Sequence, residues 1–161
     1  MPKEHHYKII SEWKGNRGTG TSAYRDYSRD FEVAGEHKQQ VLLASSDRSF
    51  LGDKSRYNPE ELLVAALSSC HMLSVLHLCA DSGIIVTGYK DEATGCMIQN
   101  ADGSGQFKSV ALNPVMTITE SSKSDLAIQL HHKAHEVCFI ARSVNFEVSC
   151  LPKIVVEQKV N

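Results

Sequence analysis

Charge of one sign is scarce in this chain. Over 161 residues the formal net charge is −2, with acids and bases interspersed, so there is no electrostatic footprint for nucleic acid or an anionic membrane. A C-x-x-C pair is also missing. The five cysteines at 70, 79, 96, 138 and 150 are an odd number. In a reducing compartment that excludes a disulfide framework and leaves free, catalytic or metal-bound thiols. The opening MPKEHHYKII lacks the basic-then-apolar layout of a secretory leader, so a cytoplasmic protein is expected. There is no internal repeat, linker or low-complexity segment. At this length a single domain over 1–161 is expected, able to bury about two-thirds of its unfolded surface.

The sharpest absence is local. Residues 62–80 contain no formal charge, yet carry Ser68, Ser69, Cys70, His71, Ser74 and His77. Asn58 is placed to cap a helix, Pro59 suits its first position, and Glu61 completes an N-x-x-E capping box. Gly83 supplies the stop. Such a helix would run about 36 Å, long enough for a membrane span. Serines, histidines and cysteines in its middle, with no basic anchor at either end, argue against lipid. Apolar residues on nearly every side instead predict a long central helix buried in protein. A chain of this length is short of material to wrap such a helix alone, which points to a partner subunit.

Around that helix, alternation predicts strands at 6–14, 23–34 and 41–44, with a glycine-rich turn at 15–21 and a polar loop at 45–57. Residues 84–93 and 96–100 are expected to pair across Thr94-Gly95. A tight turn follows at 101–105, then a strand at 110–120 with Pro114 at an edge or bulge. A helix is expected at 122–137 with Leu126, Ile128, Leu130, Ala134 and Val137 as its apolar residues. A short offset helix at 139–144 and strands at 146–149 and 154–158 close the chain. This order gives an α+β fold with antiparallel sheets around the central helix, rather than alternating βαβ units.

Buried free cysteine commonly acts as a small hydrophobe, and Cys79, about half a turn out of phase with Cys70, is read that way. Cys96 and Cys150 lie in strand or strand-edge contexts without titratable company and are expected to be structural. Cys70 differs because it sits in a polar island, with Ser74 and His77 on its side of the helix, and unpaired buried polar groups are costly. Cys138 differs because it follows a helix carrying His131, His132 and His135.

The run N-P-E-E-L-L-x-A-A-x-x-x-C at 58–70, followed far downstream by Cys138 ahead of V-N-F-E-V at 144–148, resembles the OsmC/Ohr family of osmotically induced and organic hydroperoxide resistance proteins. The resemblance is close over 58–83, looser over 126–149, and in strand order spans nearly the whole chain. It implies an OsmC-like fold, an intertwined homodimer and a thiol peroxidase without a cofactor. Cys70 would attack an organic hydroperoxide and become a sulfenic acid. Cys138 would resolve it to a disulfide, which an external dithiol, lipoyl groups included, would reduce. The family's glutamate falls on Glu60. Its arginine falls on Arg17 in the glycine-rich turn, with Arg25, Arg29 and Arg48 as alternatives. This chain departs from the family in having His71 after the first cysteine and Phe139 after the second, and 135–144 resembles a less characterised OsmC-like branch.

The residue types suit that chemistry. A guanidinium lowers a neighbouring thiol's pKa and stabilises charge developing on the leaving oxygen. A carboxylate can hold it by a bidentate contact, and a second thiol traps the sulfenic acid before irreversible oxidation. Leu63, Leu67, Leu73 and Phe139 are expected to line an apolar site. Glu60 and Cys70 are about 15 Å apart along one helix and on different faces, so a shared site needs Glu60 from a second subunit. Other readings are open. His131, His135 and Cys138 at i, i+4 and i+7 match metal-ligand spacing. A hydrolase using Cys70 or a nearby serine with His71 or His77 lacks a G-x-S-x-G elbow. A non-catalytic module could hold a lipid or lipoyl group in an apolar pocket.

Overall fold

The computed structural model describes residues 2–158. The chain divides into two compact units, Met1–Leu62 and Leu63–Asn161. In the first unit, strands β1 (Ile10–Trp13), β2 (Phe31–Ala34) and β3 (Leu42–Ala44) form an antiparallel sheet in sequence order. Ile10 pairs with Ala34, and Val33 with Leu42. The alternation from Ala23 does not become strand until Phe31. Arg29 takes that segment instead, donating to the carbonyl oxygens of Tyr24 and Tyr27 while its guanidinium lies 4.3 and 4.1 Å from the two ring centres. In the glycine-rich turn, Asn16 Oδ1 accepts from the N–H groups of Gly18 and Gly20 at 2.8 and 3.0 Å. Both glycines have positive φ, a conformation that side chains resist.

Helix α1 (Pro59–Asp81) begins with the expected reciprocal box: Glu61 N–H donates to Asn58 Oδ1 at 2.8 Å and Asn58 N–H to Glu61 Oε2 at 3.1 Å. It ends where Gly83 adopts φ +68° and Ile84 N–H bonds back to the Cys79 carbonyl at 2.8 Å, a Schellman stop. By length and composition α1 could cross a membrane. In the structure its fully buried stripe, Leu67, His71, Val75 and Cys79, packs against protein. Its other faces are half-buried or exposed, Leu73 among them.

The second unit holds two three-stranded sheets. One has the order β4 (Val86–Asp91), β7 (Pro114–Ile118), β9 (Lys153–Val156); the other has β5 (Thr94–Gln99), β6 (Gly105–Leu112), β8 (Glu147–Cys150). The sheets are not purely antiparallel. β8 lies parallel to β6 and β9 parallel to β7, because helix α2 (Ser124–Val137) provides the long crossover that parallel neighbours require.

Nor do 84–93 and 96–100 pair with one another. Thr94 and Gly95 are strand residues opposite Ala111 and Val110. The chain passes from β4 to β5, and from β6 back to β7, at a corner where Asp91 Oδ1 accepts from Asn113 N–H at 2.7 Å. Pro114 opens β7 at this corner rather than interrupting one strand. Gly95 is needed for close packing, since a Cβ there would sit 2.7 Å from Val64 Cγ2 and 2.8 Å from Phe107 Cε1.

Two apolar clusters fill this unit. Val75, Cys79, Ile84, Met116, Ile118, Ala127 and Ala134 form one; Leu67, Val110 and Leu112 form the other. Each large side chain fully removed from water contributes roughly 1.5–3 kcal/mol. The inner face of α2 is Ala127, His131 and Ala134 rather than the leucine-rich one expected. Leu126, Ile128 and Val137 are each more than a third exposed. Small alanines let the helix lie close to the sheets, and a histidine occupies the centre of its buried face.

Candidate functional site

The second unit brings Cys70 and Cys138 together. Cys70 stands half-buried at mid-α1, and Cys138 is fully buried at the first residue beyond α2. There the backbone leaves the helix at φ −65°, ψ 114°, while Cys138 N–H still bonds to the Ala134 carbonyl at 2.9 Å. Both cysteines are free thiols, near enough for Cys70 to act on the titration of Cys138. Burial pushes the Cys138 thiol up to about 11, helped by the neighbouring Cys70 thiol and opposed by the backbone N–H groups of Ala141 and Ile140. Cys138 therefore holds its proton at neutral pH. Cys70 is the sulfur that solvent can reach.

The other expected site residues lie elsewhere. Glu60 is half-buried in the first turn of α1, and Arg17 is exposed in the glycine-rich turn of the first unit. Arg25 and Arg48 are exposed, and Arg29 is committed to its tyrosine contacts. Leu67 cannot line a site, because it is wholly inside the core. Leu73 and Phe139 are exposed and Leu63 half-buried. His77 makes a surface contact with Asp81 at 3.4 Å.

Beside the thiol pair, a second polar group occupies the interior. His71 Nε2 lies 3.0 Å from His131 Nδ1 and 3.4 Å from Cys150 Sγ. All three donor atoms fall within 4.8 Å of one another. The expectation that Cys150 has no titratable neighbour is thus overturned: the end of β8 delivers it to the buried stripes of both helices. His131, His135 and Cys138 do not form the corresponding cluster. Their spacing assumed a helix that continues through Cys138, whereas α2 ends at Val137 and His131 turns inward to His71.

Burial pushes His71 down to about 4, with a further push from His135 and partial opposition from Asp91. Burial, then His71 and His132, pushes His131 down to about 4. Cys150 is pushed up to about 11 by burial and by the charge of Asp91. Asp91 itself accepts from Ser68 on α1 at 2.6 Å and from Asn113. Tyr89 stacks on His131 with ring centres 6.2 Å apart. The Tyr89 hydroxyl, His71 Nδ1 and His131 Nε2 are all buried without a hydrogen-bond partner. The signal that could have revealed this cluster is the core-facing stripe of each helix, where a single histidine interrupts small or apolar residues.

Comparison with known proteins agrees with the fold. An OsmC-like protein of unknown function from Vibrio cholerae O1 biovar eltor is 33% identical, covers 92% of this chain and 99% of its own, and superposes with a TM-score of 0.80. An organic hydroperoxide resistance protein from Legionella pneumophila shares the fold at 21% identity, with 95% and 100% of the two chains covered and a TM-score of 0.65. The uncharacterized protein YmaD of Bacillus subtilis is 23% identical over 149 residues, 90% of each chain. The family model for OsmC-like proteins matches residues 52–150, more than half of the sequence and the whole span from the entry of α1 to Cys150, so the chain belongs to the OsmC-like protein family.

Proposed function

We propose that the protein is a thiol peroxidase that reduces organic hydroperoxides. The observation that carries this reading is the meeting of Cys70 and Cys138, one reachable and one buried, from distant points of the sequence. The name of the Legionella pneumophila relative supports it. In the thiolate form Cys70 attacks the O–O bond. A sulfur–oxygen bond forms, the O–O bond breaks, and the departing alkoxide takes up a proton to leave as an alcohol. The Cys70 sulfenic acid then condenses with the Cys138 thiol, releasing water and forming a disulfide. An external dithiol, lipoyl groups included, restores both thiols through two exchange steps.

Exposed Leu73 and Phe139 support an organic rather than an inorganic peroxide. Glu60 and Arg17 are assigned to a carboxylate–guanidinium pair that stabilises the leaving oxygen. Because Glu60 and Cys70 are about 15 Å apart on one helix, a second copy of the chain would supply that pair, making the working unit a homodimer of single OsmC-like domains over 1–161 in the cytoplasm. The half-open flank of α1, with Leu73 uncovered, is consistent with such a partner.

The test is peptide mapping by mass spectrometry after one equivalent of cumene hydroperoxide, in a Cys96→Ser background to remove the exposed thiol. A Cys70–Cys138 disulfide is expected. Cys70→Ser should give none, and Cys138→Ser should accumulate sulfinic or sulfonic acid at Cys70. Two thiols still fully reduced after exposure would overturn the assignment.

A further inference from the structure

We infer that His71, His131 and Cys150 form a binding site for a single zinc ion inside the second unit. The geometry comes first. Zinc–nitrogen bonds of about 2.0–2.1 Å and a zinc–sulfur bond of about 2.3 Å at tetrahedral angles put two nitrogens about 3.3 Å apart and nitrogen and sulfur about 3.6 Å apart. The observed separations are 3.0 Å for His71 Nε2 to His131 Nδ1 and 3.4 Å for His71 Nε2 to Cys150 Sγ. The third pair, His131 Nδ1 and Cys150 Sγ, lies within 4.8 Å, so a closing movement of up to about 1.2 Å against the tetrahedral spacing brings the three atoms onto a common centre. They come from α1, α2 and the end of β8, so the ion would clasp three elements that the sequence joins only through long connections.

Coordination also fixes the protonation pattern. Coordination uses the lone pairs of His71 Nε2 and His131 Nδ1 and releases the Cys150 proton to solvent as the sulfur–zinc bond forms. Each ring then carries its proton on the other nitrogen. Those are the two ring atoms, His71 Nδ1 and His131 Nε2, that are buried without a partner. Both histidines are 1% exposed; without an ion their direct hydrogen bond leaves one lone pair and one N–H unpartnered, and coordination exchanges that lone pair for a second N–H. Three protein donors leave a fourth position for water. The Tyr89 hydroxyl is also buried without a partner, on a ring stacked against His131. Mixed imidazole and thiolate donors suit zinc and disfavour magnesium or calcium.

This site uses neither Cys70 nor Cys138, so it stands or falls independently of the peroxidase reading. The full, untagged chain, stripped with a chelator and kept reduced, is titrated anaerobically with cobalt(II) as the spectroscopic probe. One cobalt per chain is expected, with a thiolate-to-cobalt charge-transfer band and tetrahedral d–d bands, both displaced by one equivalent of zinc. Cys150→Ser should abolish the charge-transfer band and His131→Gln should weaken binding at least tenfold. The Cys70→Ser/Cys138→Ser double variant should retain the full spectrum. If the Cys150 variant fails to fold, zinc X-ray absorption on the wild-type chain decides, with one sulfur at about 2.3 Å and two imidazole nitrogens at about 2.0 Å expected. No stoichiometric cobalt signal, a band that survives Cys150→Ser, or a zinc shell without sulfur would each overturn the site.

Discussion

Acid should weaken the metal-free protein well before its carboxylates titrate, and the buried histidine pair sets the size of the effect. His71 and His131 sit at about 4 in the folded chain, against an ordinary value of 6.5. Between those values the unfolded chain binds protons that the folded chain refuses. Stability therefore rises with pH across the window and is lost as pH falls from 6.5 towards 4. At pH 5 the difference amounts to about 2 kcal/mol for each imidazole, and up to about 4 kcal/mol for the pair. That is a large share of the 5–15 kcal/mol typical of a domain. The assay is urea unfolding with excess chelator at pH 7.5, 6 and 5. The midpoint should fall steeply while the slope in denaturant stays constant. His131→Leu, which removes one imidazole from the pair, should lose about half of the pH dependence. Unchanged stability between pH 7.5 and 5, or a variant that keeps the full dependence, would refute the argument that two neutral rings are held in the core.

Three further outcomes follow from the packing. Asn58→Ala removes the acceptor of the Glu61 N–H bond and should cost about 1 kcal/mol of stability, as such caps do, measured by chemical denaturation. Gly95→Ala forces a methyl group to within 2.7 Å of Val64 Cγ2 and should cost about 1–3 kcal/mol through overpacking; a neutral result in the same assay would mean that α1 is free to back away from β5. Alkylation with iodoacetamide at pH 8, mapped by mass spectrometry, should modify exposed Cys96 and solvent-reachable Cys70 and leave Cys79, Cys138 and Cys150 slow, because these three thiols are pushed upward by burial. Fast labelling of Cys150 would contradict its place between the helices.

Local signals in the sequence were strong wherever one residue decides one structural event. The capping box at Asn58 and Glu61, the stop at Gly83 and the turn at 101–105 need only neighbouring residues, and each appears as the pattern indicates. The cysteine pair was legible through the N-P-E…C run and the later Cys138. Strand partnership was not. Thr94-Gly95 has turn composition, yet that glycine is spent on the close approach of Val64 and Phe107, a requirement set by a helix thirty residues upstream. The tyrosines after Ala23 alternate like strand residues but are gathered by Arg29.

The histidine cluster shows why the site was harder to read than the fold. On α2 the longer apolar residues, Leu126 and Ile128, lie about 200° apart around the helix, and either would hold it away from the sheets. Alanines at 127 and 134 permit the closer packing, and that choice turns His131 inward. On α1, Cys70 and His71 are consecutive and point about 100° apart, so one reaches Cys138 while the other reaches His131 and Cys150. A reading of spacing along α2 alone groups His131 with His135 and Cys138, because all three fall on one side of an unbroken helix. The break after Val137 gives Cys138 to Cys70, and the parallel return of β8 beside β6 gives Cys150 to the histidines. Neither event is encoded near the residues it brings together, so the crossover topology, and not a local motif, decides which thiol meets which partner.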